Sequence, residues 1–190
     1  MLLSPFTRKM RKPNSRTLVI DASIALASGT TDHPVSRGCR EFLEEVLNIC
    51  HHAAINDSLH YEFFERPKEK GKNSSKFFRT WFLSMTSRKK ILRISDQENI
   101  ELRQKINSLN LSDSEKTILL EDCHLIELAL LHDSIVVSKD DEALALYKTI
   151  ANDAQQIQNV MWANPLTRDL SVWLSEGCKP FQGFELGSKE

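Results

Sequence analysis

Features that define several common protein classes are absent from this sequence of 190 residues. It has no run of about 20 apolar residues, so no membrane-spanning helix is predicted. It has no Gly-rich phosphate loop and no Gly-x-Ser-x-Gly motif, so nothing supports a nucleotide-binding ATPase or a serine hydrolase. The N-terminal residues lack the order of charged and apolar residues in a secretory signal, and we expect a cytoplasmic protein.

Cysteine is also scarce, and its spacing matches neither a disulfide framework nor a zinc motif. The chain has 41% hydrophobic residues and is long enough to bury a core without covalent cross-links, so we expect reduced thiols. A zinc site could be drawn from six residues of two types: Cys50, His51, His52, His60, Cys123 and His124. No recognised ligand spacing supports that site.

Positive charge is unevenly distributed along the chain, although the formal net charge is only −1. Residues 1–16 and 66–90 together carry 14 of the 25 Lys and Arg residues. Such basic segments attract phosphate, although many are only solvated loops. Within the second segment the candidate RNA-binding residues are Lys68, Lys70, Lys72, Lys76 and Arg79.

Two acidic residues follow predicted buried strands. The apolar, β-branched residues 17–20 precede Asp21, and residues 135–138 precede Asp140. Ligands of parallel α/β sheets bind beyond the carboxyl ends of the strands, so these two carboxylates should face one cleft.

Two further acids belong to predicted helices. Glu62 lies in a helix that begins near Asn56, which has the chemistry of an N-cap. Asp122 lies within the apolar helical pattern of residues 118–130, or it starts the second half of that helix. A carboxylate among so many apolar residues is costly unless it is paired, exposed or bound to a cation.

The remaining pattern alternates between strands and helices and predicts one α/β domain. Residues 66–75 are predicted to form an exposed loop, and Ser112 with Glu115 fits a capping box. Aromatic residues recur at helical spacing over 77–85, which favours core packing over base stacking. Further helices are expected near residues 35–50, 96–109, 141–154 and 169–176, and further strands at 53–55 and 157–162.

The four acidic segments resemble, in order, the four acidic motifs of PIN domains, many of which are metal-dependent ribonucleases. The segments are TLVIDASIALA around Asp21, INDSLHYEFFE around Glu62, EDCHLIELAL around Asp122 and IVVSKDDEAL around Asp140. The resemblance covers about residues 17–162. It implies a PIN-like three-layer α/β/α sandwich with a mostly parallel sheet. The expected boundaries are a basic tail at 1–16, the nuclease domain at 17–163 and a C-terminal helix and tail at 164–190.

The resemblance also implies a site that uses Mg²⁺ or Mn²⁺, which prefer carboxylate oxygens. Asp21, Asp122 and Asp140 would hold the cation, and Glu62 would act directly or through water. Ser23 and Ser138 occupy positions where the family often has a hydroxyl that hydrogen-bonds the acids or the metal-bound water. Asp141 is either an additional ligand or the cap of the following helix.

The function expected from this resemblance is an endoribonuclease, and some PIN domains are the toxins of toxin-antitoxin pairs. RNA, an antitoxin or other small protein, and a second copy of the chain are the expected partners. The alternative is a catalytically inactive PIN-like module that binds RNA or protein. A phosphoacceptor domain would need paired acids after the first strand, where Asp21 stands alone.

Overall fold

The centre of the fold is a five-stranded, fully parallel sheet, seen in a computed structural model that describes residues 14–71, 73–181 and 183–188. The strands are β1 (Thr17–Ile20), β2 (His52–Ile55), β3 (Ile91–Arg93), β4 (Ile135–Val137) and β5 (Met161–Ala163). Their spatial order is β3-β2-β1-β4-β5. The fold is therefore α/β, as predicted.

Helices cover both faces of this sheet. Consecutive residues of a strand point to opposite faces, yet Leu18, Val19 and Ile20 are all buried, as a three-layer arrangement requires. Ten α-helices lie in the described part of the chain: α1 (Ala22–Ala27), α2 (Pro34–Ile49), α3 (Asp57–Phe64), α4 (Arg66–Glu69), α5 (Lys76–Ser87), α6 (Ile100–Ser108), α7 (Asp113–Glu121), α8 (Cys123–Leu130), α9 (Asp141–Ala151) and α10 (Ser171–Ser175).

The strand order reverses at the middle of the sheet. From β1 the chain adds β2 and β3 on one side and later adds β4 and β5 on the other. Val19 accordingly pairs with Ala54 of β2 and with Val136 of β4. A crevice forms at such a reversal, beyond the carboxyl ends of the two central strands.

The aromatic stripe of α5 is core, as predicted. Phe78, Trp81, Phe82 and Met85 are buried, and the Trp81 indole donates a hydrogen bond to the Leu43 carbonyl of α2. Burying large rings at helical spacing is what fixes this helix on the rest of the domain.

The prediction of a loop over residues 66–75 is wrong for its first four residues. Residues Arg66–Glu69 form α4, and Pro67 lies within its first turn, where a missing N–H costs nothing. The predicted helix of residues 118–130 is two helices, α7 and α8, that meet at Asp122. Asp122 therefore starts the second of them.

Two of the strand predictions also need correction. The sequence pattern missed β3, whose three residues are only half-buried or exposed. The last strand begins at Met161 instead of Ile157, because residues Gln155–Ile157 form a 3₁₀ turn. The capping box of Ser112 and Glu115 is confirmed.

Residues after β5 fold back onto it. Trp162 donates its backbone N–H to the Phe184 carbonyl, and Leu186 donates to the Val160 carbonyl. The helix α10 packs against α2. The basic tail predicted for residues 1–16 lies outside the described residues except for 14–16.

The four cysteines are free, as predicted. Cys39, Cys123 and Cys178 are buried, which suits their role as small apolar side chains. None of the helices in the described ranges combines the length and the apolar character that a membrane span requires.

Candidate active site

Two of the candidate acids cap helices at the central crevice. Asp21 follows β1 and accepts from Ser23 N–H at 3.2 Å, which caps α1. Asp140 lies three residues beyond β4 and accepts from Ala143 N–H at 2.9 Å, which caps α9. Both are residue types that favour this position, so the caps place their carboxylates at the mouth of the crevice.

Hydroxyl groups hold the Asp21 carboxylate in place. Ser138 Oγ donates to Asp21 Oδ2 at 2.5 Å, and Ser23 Oγ donates to the same oxygen. Ser138 Oγ also accepts from Asp140 N–H at 3.0 Å. Ser138 is fully buried and Asp21 is 9% exposed, so these bonds replace most of the water that the carboxylate would otherwise bind.

Asp122 contributes the third carboxylate from the junction of α7 and α8. The helix α8 packs against β1 and β4, which brings its first residues to the crevice. Asp122 is the N-cap of α8 but makes no side-chain capping bond. Burial raises the pKa of Asp122 to about 7, and repulsion from Asp21 and Asp140 adds to the effect.

Glu62 lies on α3 between two basic side chains. Its Oε1 is 3.5 Å from the Arg66 guanidinium, and its Oε2 is 3.5 Å from His124 Nε2. Burial lowers the pKa of His124, but the Glu62 carboxylate and the Glu121 carbonyl outweigh burial and raise it overall. The two contacts orient Glu62 toward the crevice.

All four carboxylates line one cavity of about 480 Å³, which we call the acidic cavity. Its wall also includes Ser23, Leu26, Arg66, Pro67, Lys70 and Asn73. This volume is within the usual range for ligand sites. A cavity of about 540 Å³ between α2 and residues 165–171 is lined by Glu41, Glu45 and Asp169, none of which follows a strand of the sheet.

The four carboxylates are not arranged around one common position for a cation. Across residues 14–71, 73–181 and 183–188, no three His, Cys, Asp or Glu side chains are grouped so that they could hold a metal ion. The donor chemistry nevertheless suits a hard divalent cation, since every candidate ligand is a carboxylate oxygen. Holding such a cation would require side-chain rotations that bring Asp21, Asp122 and Asp140 closer together.

The candidate RNA-binding residues occupy different places. Lys70 lines the acidic cavity, whereas Lys68 pairs with Glu65 at 2.9 Å on the exposed side of α4. Lys76 and Arg79 are exposed on the first turns of α5. Lys72 lies outside the described residues.

Asp141 does not line the acidic cavity. Its Oδ1 accepts from the Asn164 side chain at 2.8 Å, and the cap of α9 is Asp140. Arg66 was missed as a candidate, because it had no signal beyond its membership of a basic segment. From the sequence, His124 is close to Asp122 on a helix and is either a substrate contact or an ordinary polar helix position; the structure adds its contact with Glu62.

Comparison with known proteins identifies no relative: no family model matches the chain, and no curated protein or solved structure gives a significant match. The chemistry of the site therefore follows from its own residues. Acids that repel one another, beside two basic residues at the mouth of a crevice, can attract a cation and a phosphate group together.

Proposed function

We propose that the chain is a PIN-like, Mg²⁺- or Mn²⁺-dependent endoribonuclease. The observation that supports this most is the convergence of Asp21, Glu62, Asp122 and Asp140 on one cavity at the reversal of the strand order. Neighbouring Arg66 and Lys70 provide positive charge for the RNA backbone at the same cavity.

Asp21, Asp122 and Asp140 would hold the cation, which when bound supplies an activated water and neutralises charge on the phosphodiester. Ser138 and Ser23 keep the Asp21 carboxylate pointed at the cavity. Glu62, which lines the same cavity, would accept a proton from the attacking water.

The test is cleavage of total RNA by the purified chain with Mg²⁺, with Mn²⁺ and with EDTA. Asp21→Asn and Asp122→Asn should reduce metal-dependent cleavage by at least about a hundredfold, since each removes a charged ligand. Asp153→Asn, an exposed acid that does not line the acidic cavity, is the matched control and should cleave normally. Intact RNA with both metals, or unchanged cleavage by both site variants, would refute the proposal.

One observation favours the catalytically inactive module instead. The described residues contain no group of three acids already arranged around a cation position. That module would bind RNA equally well in EDTA and with Asp140→Asn, and it would leave the RNA intact. A toxin role, an antitoxin partner and a homodimer stay predictions of the family resemblance.

A further inference from the structure

A second cavity, of about 450 Å³, adjoins the acidic cavity and shares Glu62 and Arg66 with it. We call it the α3 cavity. The rest of its wall consists of Asp57, Ser58, Tyr61, Asp96, Glu121 and His124. Because two residues belong to both cavities, a polymer that crosses the acidic cavity can place a neighbouring unit in the α3 cavity.

His124 gives this cavity a buried polar atom that is ready for a ligand. The residue is only 7% exposed, and Nδ1 donates to the Glu121 carbonyl at 2.9 Å. Nε2 makes no hydrogen bond to any described residue, and its contact with Glu62 at 3.5 Å is too long for a good one. Because Glu62 contacts Nε2 only at this long distance, an acceptor oxygen of a ligand can add the hydrogen bond that Nε2 lacks.

Tyr61 provides an aromatic surface at the rim of the α3 cavity. It is 43% exposed, and its hydroxyl donates to Glu69 at 2.6 Å. That bond fixes the ring without covering it. An immobilised, open aromatic ring is what single-stranded RNA-binding sites use to stack a base.

The polar wall of the α3 cavity consists mainly of hydrogen-bond acceptors. Asp57, Asp96 and Glu121 contribute carboxylates, and Asp96 is held on α3 by Ser58, which donates to both of its oxygens at 3.2 and 3.0 Å. Carboxylates accept from base N–H groups and repel carbonyl oxygens. Guanine presents two adjacent N–H donors on one edge, whereas uracil presents one N–H between two carbonyls.

We propose that the α3 cavity is a guanine-selective subsite for the RNA nucleotide next to the cleaved phosphodiester, an inference that rests on the proposed ribonuclease function. The base stacks on Tyr61 and donates to the carboxylate wall. Arg66, at the boundary of the two cavities, contacts the intervening phosphate. Its ion pair with Glu62 is long and its side chain is about half exposed, so the guanidinium can accept a second partner.

The test measures binding of GMP, AMP, CMP and UMP to the full chain in EDTA, by calorimetry and by the imidazole NMR signals of His124. GMP should bind at least about tenfold more tightly than UMP, because a bidentate contact discriminates bases by that much or more. Tyr61→Ala should weaken GMP binding about tenfold, while Tyr61→Phe, which keeps the ring but loses the hydrogen bond to Glu69, should weaken it clearly less. Asp153→Asn, an exposed acid outside both cavities, is the control for charge.

Equal affinity for all four nucleotides, or GMP binding unchanged by Tyr61→Ala, would overturn the subsite. The two proposals fail separately. Selective GMP binding without cleavage of any RNA would refute the nuclease and keep the subsite. Cleavage without any base enriched at a fixed position beside the cut ends, together with unselective nucleotide binding, would refute the subsite and keep the nuclease.

Discussion

Ser138 Oγ donates a hydrogen bond of 2.5 Å to Asp21 Oδ2 and so joins the carboxyl ends of β4 and β1 across 117 positions of sequence. The same hydroxyl accepts from Asp140 N–H. One buried side chain thus sets the positions of two of the four acids. The distance between the two acids depends on this serine as much as on the strands.

Removing the Ser138 hydroxyl should therefore loosen the site. Ser138→Ala leaves Asp21 with a poorly satisfied carboxylate, and we expect a loss of about 1–3 kcal/mol in the free energy of unfolding. Metal-dependent cleavage should fall as well. Urea unfolding and the cleavage assay check this, with Ser87→Ala at the exposed C-terminal end of α5 as the matched control. Equal effects of both substitutions would contradict the role of Ser138.

Neutralising Asp122 should stabilise the protein in EDTA while it abolishes cleavage. Burial raises the pKa of Asp122 to about 7, well above the ordinary aspartate value of 3.8. The loss of folding stability caused by this buried charge is therefore absent below the unfolded-state pKa. It grows as the pH rises toward 7 and is complete above pH 7. At pH 8 we expect Asp122→Asn to raise the free energy of unfolding by roughly 1–3 kcal/mol.

The check on Asp122→Asn is urea unfolding at pH 8 and pH 5. The gain should be smaller at pH 5, where the wild-type carboxyl is mostly protonated in the folded state. Mg²⁺ should stabilise the wild type and not the variant, since a ligand stabilises only the protein that binds it. A destabilised variant at pH 8, or equal stabilisation of both proteins by Mg²⁺, would contradict this electrostatic account.

Two neighbouring lysines should contribute unequally to RNA binding. Lys70 lines the acidic cavity, whereas Lys68 pairs with Glu65 on the exposed side of α4. Lys70→Gln should weaken binding of single-stranded RNA and lower the slope of log K against log salt by about 0.7, the value for one phosphate contact. Lys68→Gln is the matched comparison and should change neither quantity. Salt titrations of binding in EDTA measure both, and identical slopes for the two variants would show that the cavity does not guide RNA.

Stability should fall at mildly acidic pH because of His51. Its Nδ1 accepts from Arg16 N–H at 2.9 Å and its Nε2–H donates to the Leu174 carbonyl at 3.0 Å, so the neutral ring is fully satisfied. Burial lowers the pKa of His51 in the folded chain. The stabilisation is present above the unfolded pKa of about 6.5 and is lost as the pH falls through the folded value.

The measurement for His51 is the free energy of unfolding between pH 7.5 and pH 5, compared with His51→Gln. The variant should be less stable at pH 7.5 by about 1–3 kcal/mol, because it loses hydrogen bonds of the buried ring. Its stability should depend less on pH over this range. Parallel pH profiles for the two proteins would assign the acid sensitivity to other groups.

Much of the fold could be predicted from local sequence. The runs at β1 and β4 are apolar and β-branched because both faces of those strands are covered, and Ser112 with Glu115 carries its own capping signal. The strand β3 could not be found this way, since it is short, half-buried and held mainly by its pairing with β2. Tertiary contacts, and not the local sequence, determine where β3 forms.

Some features of the candidate site could likewise be predicted from local sequence, and others could not. Asp21 and Asp140 could be located because each follows a recognisable strand. The contacts of Glu62 with Arg66 and His124, residues 4 and 62 positions away, are visible only in the folded chain. The spacing of such contacts is set by how α3 and α8 pack, and no local pattern encodes it.

The backbone hydrogen bonds that join β5 and the preceding Val160 to residues 184 and 186 have a consequence for self-association. A parallel sheet leaves unpaired N–H and C=O groups on its two outer strands, and these can recruit strands from other molecules into aggregates. Here the segment after β5 occupies that position on one side, and on the other side β3 is only three residues long and ends in Arg93. Both borders of the sheet are thus poor templates for intermolecular β-pairing.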